Sequence, residues 1–99
     1  MAKSLLERRL IDVSDRLKRL RAELAVADEQ CAVLIAEAED ARLRSLVSET
    51  PIAQAEAHEI RRHADAQSRQ RDLLRRSITE LEREQDALLD RMANELSPS

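Results

Sequence analysis

Glycine and aromatic residues are absent from this 99-residue sequence, and proline occurs only at Pro51 and Pro98. A β-rich fold needs turn-forming residues at short intervals and favours aromatic and β-branched residues in its strands. These absences therefore argue against a β-rich fold. Alanine, leucine, arginine and glutamate dominate instead, and all are good helix formers. The composition is typical of long helices or of a coiled coil.

Cysteine is almost absent as well, since Cys31 is the only one. A single cysteine excludes an internal disulfide framework and a cysteine cluster for zinc. The first four residues lack the apolar run of a signal peptide, and no stretch approaches the roughly 18 apolar residues of a membrane span. With 17 basic and 20 acidic side chains, the net charge of −3 does not indicate nucleic acid or membrane binding. We therefore expect a cytoplasmic protein with no membrane contact.

Apolar residues recur at alternating intervals of four and three residues in the first half of the chain, which is a heptad seam. The seam predicts a first helix from about residue 4 to about residue 47, with Ser4 as its N-cap. Its positions are Leu6, Leu10, Val13, Leu17, Leu20, Leu24, Ala27, Cys31, Leu34, Ala38, Ala41, Ser45 and Ser48.

A turn is predicted at residues 48–51. Pro51 fits the first position of a helix, and Thr50 is then the natural N-cap. The second helix is predicted from residue 51 to about residue 96, followed by a short tail at residues 97–99. Its seam consists of Ala53, Ala57, Ile60, Ala64, Gln67, Arg71, Leu74, Ile78, Leu81, Gln85, Leu88 and Met92.

An antiparallel hairpin explains this pattern better than one continuous helix, in which Pro51 would cost roughly 3 kcal/mol. Folding about Glu49 pairs seam residues whose numbers add to about 98, such as Leu17 with Leu81. Residues 3–21, with seven bases and three acids, then face residues 77–95, with two bases and six acids. The sequence therefore predicts an all-α fold, a long two-helix antiparallel coiled-coil hairpin over residues 1–99, which pairs into a dimeric four-helix bundle if it self-associates.

The predicted core is weakest where Ala27 faces Arg71 and Cys31 faces Gln67. These two layers bury little apolar surface, and a fully buried guanidinium would be costly. We therefore expect the Arg71 side chain to reach outward to water.

Two apolar surfaces are candidate partner-binding sites. Near the turn, the residues Leu43, Leu46, Val47 and Ile52 lie mostly off the seam. They either pack against each other to close the hairpin or form an exposed apolar tip, rimmed by Arg42, Arg44 and Glu49. On the outer side of the first helix, Val26 and Val33 lie among alanines. In one interpretation, the alanines on this surface only raise helix propensity and the surface has no partner. In the other, the two valines belong to a contact surface, most simply that of a homodimer.

Arginines form a third candidate surface on the second helix, which would suit nucleic-acid phosphates. Its residues are Arg61, Arg62, Arg69, Arg75 and Arg76, with Arg71 between them. Acidic residues interleave with these arginines and no aromatic residue is present to stack on bases, so a solvated, internally neutralised surface is the preferred interpretation.

Catalytic, cofactor and metal sites are not predicted. His58 and His63 are five residues apart, which does not match the i, i+4 spacing of a helical zinc pair. Cys31 has no base opposite it, and the chain has no glycine-rich phosphate loop. We therefore expect no enzyme, but a scaffold or adaptor that forms a homodimer and binds another protein, with a nucleic-acid accessory factor as the alternative.

Overall fold

The computed structural model describes residues 4–96 and contains two long α-helices, α1 at Leu5–Ser48 and α2 at Pro51–Leu96. No β-strand occurs within the described residues. The structure therefore confirms the predicted all-α helical hairpin. Helix α1 continues one residue beyond its predicted end, to Ser48, whose hydroxyl donates to the backbone carbonyl of Arg44 at 2.8 Å. The predicted tail at residues 97–99 lies outside the described residues.

Helix α1 begins at the predicted cap. The backbone N–H of Glu7 donates to the Ser4 hydroxyl at 3.2 Å, and the N–H of Arg8 donates to the Ser4 carbonyl at 3.1 Å. The first bond engages one of the four N–H groups that a helix leaves unsatisfied at its N-terminus, and the second is the first regular bond of the helix.

Helix α1 ends because Glu49 adopts the left-handed conformation, with φ of 53°. Its N–H still donates to the carbonyl of Ser45 at 3.0 Å, which closes the last turn of the helix. Glycine usually occupies such a position because it has no Cβ to clash with the backbone. This chain contains no glycine, so Glu49 takes the conformation at a steric cost.

Helix α2 begins immediately after this residue. The Thr50 hydroxyl accepts from the N–H of Ala53 at 3.2 Å, and the Thr50 carbonyl accepts from the N–H of Gln54 at 3.1 Å. Pro51 occupies the first helical position, where a missing N–H costs nothing. The predicted cap at Thr50 is confirmed, and only Glu49 and Thr50 separate the two helices.

The described residues divide into two compact units, each built from a stretch of both helices. The terminal unit contains residues 4–23 and 74–96, and the turn unit contains residues 24–73. Every predicted seam residue is buried or half-buried, with the single exception of Ser48. The heptad pattern therefore identified the core in both units.

Leucine, isoleucine and valine fill the core of the terminal unit, with Leu17 only 1% exposed. Polar contacts flank this core on its surface. Arg9 lies 3.8 Å from Glu84, Arg21 lies 3.3 Å from Glu82, and the Gln85 side chain donates to the Ser14 hydroxyl at 3.1 Å. Bases of α1 thus meet acids of α2, as the charge pattern predicts, although each exposed pair contributes only tenths of a kcal/mol.

Small side chains fill the core of the turn unit, namely Ala27, Cys31, Ala38, Ala41 and Ala64. Arg71 lies at its edge with 22% of its side chain exposed, and its guanidinium donates to the Asp72 carboxylate at 3.4 Å. Arg71 is therefore half-buried rather than fully buried, and Asp72 compensates its charge. Within residues 4–96, no buried side-chain nitrogen or oxygen lacks a hydrogen-bond partner.

Replacing Glu49 with glycine is expected to stabilise the hairpin. The gain is about 0.5–1 kcal/mol, because glycine relieves a left-handed penalty of roughly 1–2 kcal/mol but adds entropy to the unfolded chain. Urea denaturation followed by circular dichroism measures the free energy of unfolding. Glu49→Ala is the control, since alanine keeps the Cβ and should leave that free energy nearly unchanged. Equal stability of Glu49→Gly and Glu49→Ala would contradict the account of the turn.

Candidate partner-binding surfaces

The four apolar residues predicted at the tip are all exposed. Leu43, Leu46, Val47 and Ile52 are between 49% and 87% accessible to solvent. Side chains that closed the hairpin against each other would be largely buried. The geometry therefore matches the exposed-tip interpretation and not the closing one.

A shallow groove of about 490 Å³ lies beside the turn. Leu43 and Val47 form its α1 side, and Ala53 forms its α2 side, above the buried Ala41. Leu46 and Ile52 lie outside this groove. The tip therefore offers an apolar groove on one side of the hairpin rather than a symmetrical apolar cap.

The polar rim of this groove differs from the expected one. Arg44 and Glu56 line it, whereas Arg42 and Glu49 do not. Arg42 instead forms an ion pair with Glu39, at 2.6 Å, away from the groove. The carboxylate three residues earlier on the same helix explains this pair. A rim of Arg42, Arg44 and Glu49 around the whole tip stays a prediction.

Val26 and Val33, predicted as an outer surface of α1, are 54% and 57% exposed. Val47 follows Val33 after two further heptads, so the three valines form one column along α1. A second groove lies beside Val33, lined also by Leu34 of α1 and by His63 and Gln67 of α2. We call this side of the turn unit, with its valine column and two grooves, the valine face.

Three carboxylates surround Val33 on this face. Glu29 lies four residues before Val33, while Glu37 and Asp40 lie four and seven residues after it, and such spacings place side chains on the same side of a helix. Within residues 4–96, none of the three forms an ion pair. The valine face therefore combines three exposed valines with three carboxylates that no ion pair compensates within residues 4–96.

The opposite side of α1 in the turn unit has a different character. Ile35, which the sequence did not single out, is 50% exposed there and shares a depression with Glu39, Arg61 and Asp65. Two ion pairs cross this surface, Glu39 with Arg42 at 2.6 Å and Arg61 with Asp65 at 3.2 Å. We call it the ion-paired face, because its main charges compensate each other.

Arg42 binds Glu39 through two hydrogen bonds, from Nη2 at 2.6 Å and from Nε at 3.2 Å. The side-chain hydrogen bond, followed by the positive charge of Arg42, lowers the pKa of Glu39. The charge of Arg61 lowers this pKa further by a smaller amount. The same contact raises the pKa of Arg42.

The predicted arginine surface does not lie free along α2. In the turn unit, Arg61 pairs with Asp65 at 3.2 Å and Arg62 pairs with Glu59 at 3.7 Å, while Arg69 shares a depression with these acids. Arg75 and Arg76 are exposed residues of the terminal unit. The arginines of the turn unit are neutralised mainly along their own helix, as the preferred interpretation of the sequence expected.

Other chemistry-bearing residues remain apart. Cys31 is a free thiol that is only 1% exposed, so it fills the core. His58 and His63 are exposed on α2. No group of three histidine, cysteine or acidic side chains among residues 4–96 is arranged to hold a metal ion.

Sequence reasoning missed several exposed apolar residues besides Ile35, namely Leu5, Ile11, Leu73, Leu89 and Leu96. Most of these residues lie next to a seam position in sequence. A stricter count of apolar residues outside the seam would have found them. It would not have distinguished the valine face from the ion-paired face, because that difference depends on which charges pair.

Replacing Arg42 with glutamine is expected to raise the pKa of Glu39 toward its ordinary value, because the mutation removes the two largest causes of the lowering. The pKa is measured by following the Glu39 carboxylate in an NMR titration. Arg61→Gln is the matched control and should raise this pKa less. An unchanged pKa in Arg42→Gln would show that the pair does not persist in solution.

No described helix is apolar over a stretch long enough to cross a membrane, within residues 4–96. Comparisons of the chain with protein-family models, with curated proteins and with solved structures gave no match.

Proposed function

We propose that this chain is a non-catalytic adaptor that binds another protein through its helical surfaces and the tip of the hairpin. The proposal rests on one observation, that all six apolar residues predicted as contacts are exposed: Leu43, Leu46, Val47, Ile52, Val26 and Val33. Groups of exposed apolar residues often mark a binding site. The long helices give such a surface a rigid support.

The proposal places the protein in the cytoplasm. Its one cysteine, Cys31, is a free thiol within the core, and a reducing compartment keeps such a thiol unmodified. The proposed binding of a partner protein uses only apolar contacts and charge pairing, so the proposal includes no cofactor or metal.

Binding of nucleic acid is the alternative function, and it has weaker support. Phosphate binding requires cationic side chains that are available to the backbone of the nucleic acid. Arg61 and Arg62 already contact acids of their own helix at 3.2 and 3.7 Å. A phosphate would have to displace these contacts, which lowers the expected gain from each arginine.

Changing Leu46 and Val47 together to serine is expected to abolish capture of the partner protein, because the change removes two of the apolar side chains at the tip. Both residues are exposed, so the free energy of unfolding should change by only about 0.5 kcal/mol or less per site. The measurement is an affinity pull-down with the full chain from cells that express it naturally, with bound proteins identified by mass spectrometry. Circular dichroism verifies that helicity is retained.

The matched control for this experiment changes Ile11 and Leu89 to serine. These residues are also apolar and exposed, but they belong to the terminal unit, away from the turn. Capture should survive this control. Undiminished capture by the Leu46/Val47 variant would show that the tip is not a contact surface. Loss of capture in both variants would show that the effect is not specific to the tip.

Self-association is the second form of the proposal. A homodimer would cover the apolar residues of the valine face and form a four-helix bundle. Any symmetrical contact of this face with itself, however, brings Glu29, Glu37 and Asp40 of one copy near the same carboxylates of the other. Like charges at a contact oppose association, and salt screens this repulsion.

Light scattering at tens of micromolar is therefore expected to give mainly the monomer mass at low salt. The share of dimer should rise when the salt concentration increases from about 50 mM to about 500 mM, because the screening length falls well below 10 Å. Val26→Ser combined with Val33→Ser should eliminate the dimer at high salt. A monomer under all conditions would refute the homodimer, and a dimer that is insensitive to salt would refute pairing through the valine face.

A further inference from the structure

The two sides of α1 in the turn unit differ in charge although each exposes a large apolar side chain to a similar extent. Val33 is 57% exposed on the valine face, and Ile35 is 50% exposed on the ion-paired face. Around Ile35, the carboxylates of Glu39 and Asp65 are each paired with an arginine. Around Val33, the carboxylates of Glu29, Glu37 and Asp40 have no ion-pair partner among residues 4–96.

The valine face has the length and shape of a helix-binding surface. Val26 and Val47 are three heptads apart, which corresponds to roughly 32 Å along a helix. A groove lies beside Val33 and another beside Val47, so apolar side chains of a docked helix have two places to insert. An amphipathic helix commonly binds in this way, through apolar anchors spaced three, four and seven residues apart.

The charge of the valine face determines which helix it fits. Glu29, Glu37 and Asp40 lie on this face, and Arg44 is the only arginine or lysine that lines the two grooves, with His63 lining the groove beside Val33. A second copy of the same face would add further carboxylates. The basic residues Arg61 and Arg62 of α2 are already occupied by Asp65 and Glu59.

We infer that the valine face binds an amphipathic helix of another protein in which lysines or arginines flank the apolar stripe. This inference rests on the proposed adaptor function and specifies the chemistry of its partner. The apolar stripe covers the valine column and enters the two grooves. The basic side chains reach Glu29, Glu37 and Asp40, where a charge-assisted hydrogen bond is stronger than a neutral one. The unpaired carboxylates also discriminate against acidic helices.

The test uses a synthetic peptide of about three heptads, with leucine at the first and fourth position of each heptad and lysine among the remaining positions. Its binding to the full chain is measured by fluorescence anisotropy. A second peptide, with glutamate in place of every lysine, has the same leucine pattern. The lysine peptide is expected to bind, and the glutamate peptide is not.

Two variants locate the site. Val26→Ser combined with Val33→Ser should weaken binding of the lysine peptide by about tenfold or more, since it removes apolar contact at the centre of the face. Ile35→Ser, at a similarly exposed residue on the ion-paired face, is the matched control and should leave binding unchanged. Circular dichroism of each variant verifies that the helices remain folded.

A third variant tests the charge. Glu29→Gln, Glu37→Gln and Asp40→Asn together should weaken binding several-fold at low salt and should flatten its dependence on salt concentration. Equal binding of the glutamate peptide would overturn the assigned partner chemistry. So would a salt dependence that this triple variant leaves unchanged.

The inference is overturned if the lysine peptide does not bind, or if it binds equally to the Val26/Val33 variant. It is also overturned if the chain forms a dimer at low salt that the Val26/Val33 variant disrupts, because a second copy then occupies the face. The adaptor proposal itself fails if the unmodified chain captures no partner protein in the pull-down. That outcome is independent of the result with the peptide.

Discussion

The reversal of the chain at Glu49 and Thr50 is the constraint on which the rest of the structure depends. Helix-forming residues occupy most positions outside the turn, so helix propensity alone would favour one continuous helix. Pro51 prevents this because it cannot supply an N–H to a helix interior, and Thr50 supplies the cap that lets a new helix begin at once. The apolar seam of each helix can then be buried against the other helix of the same chain.

A link of only two residues requires one of them to make most of the reversal. Glu49 does so by adopting a left-handed conformation while its N–H remains bonded to Ser45. The packing on either side must outweigh that local cost. In the turn unit this packing comes from alanines and Cys31, which are small enough for the two backbones to approach each other closely.

Much of the fold could be predicted from the sequence because it depends on periodic features. Heptad spacing gave the seam, while Ser4, Thr50 and Pro51 gave the helix ends, and all of these are local patterns with a direct structural meaning. The exposure of Val33 and Val47 followed from the same periodicity. Local sequence patterns were therefore sufficient to predict the two helices and their ends.

The character of the candidate surfaces could be predicted only in part. Arg42 has two carboxylates within four residues, Glu39 and Asp40, and the spacing of three residues favours Glu39. The structure shows this pair, while Arg44 and Glu56 line the groove beside the turn. The contrast between the valine face and the ion-paired face arises from such pairings, which depend on side-chain conformation in three dimensions.

The shortness of the link also limits how this protein can change by insertion or deletion. One added residue after Glu49 would rotate α2 by about 100° about its axis, given 3.6 residues per turn. Ala53 and Ala57 would then turn away from α1, and Ile52 and Glu56 would take their places. A substitution on an outer surface leaves this packing in register, whereas a change in the length of the link rotates one apolar seam away from the other.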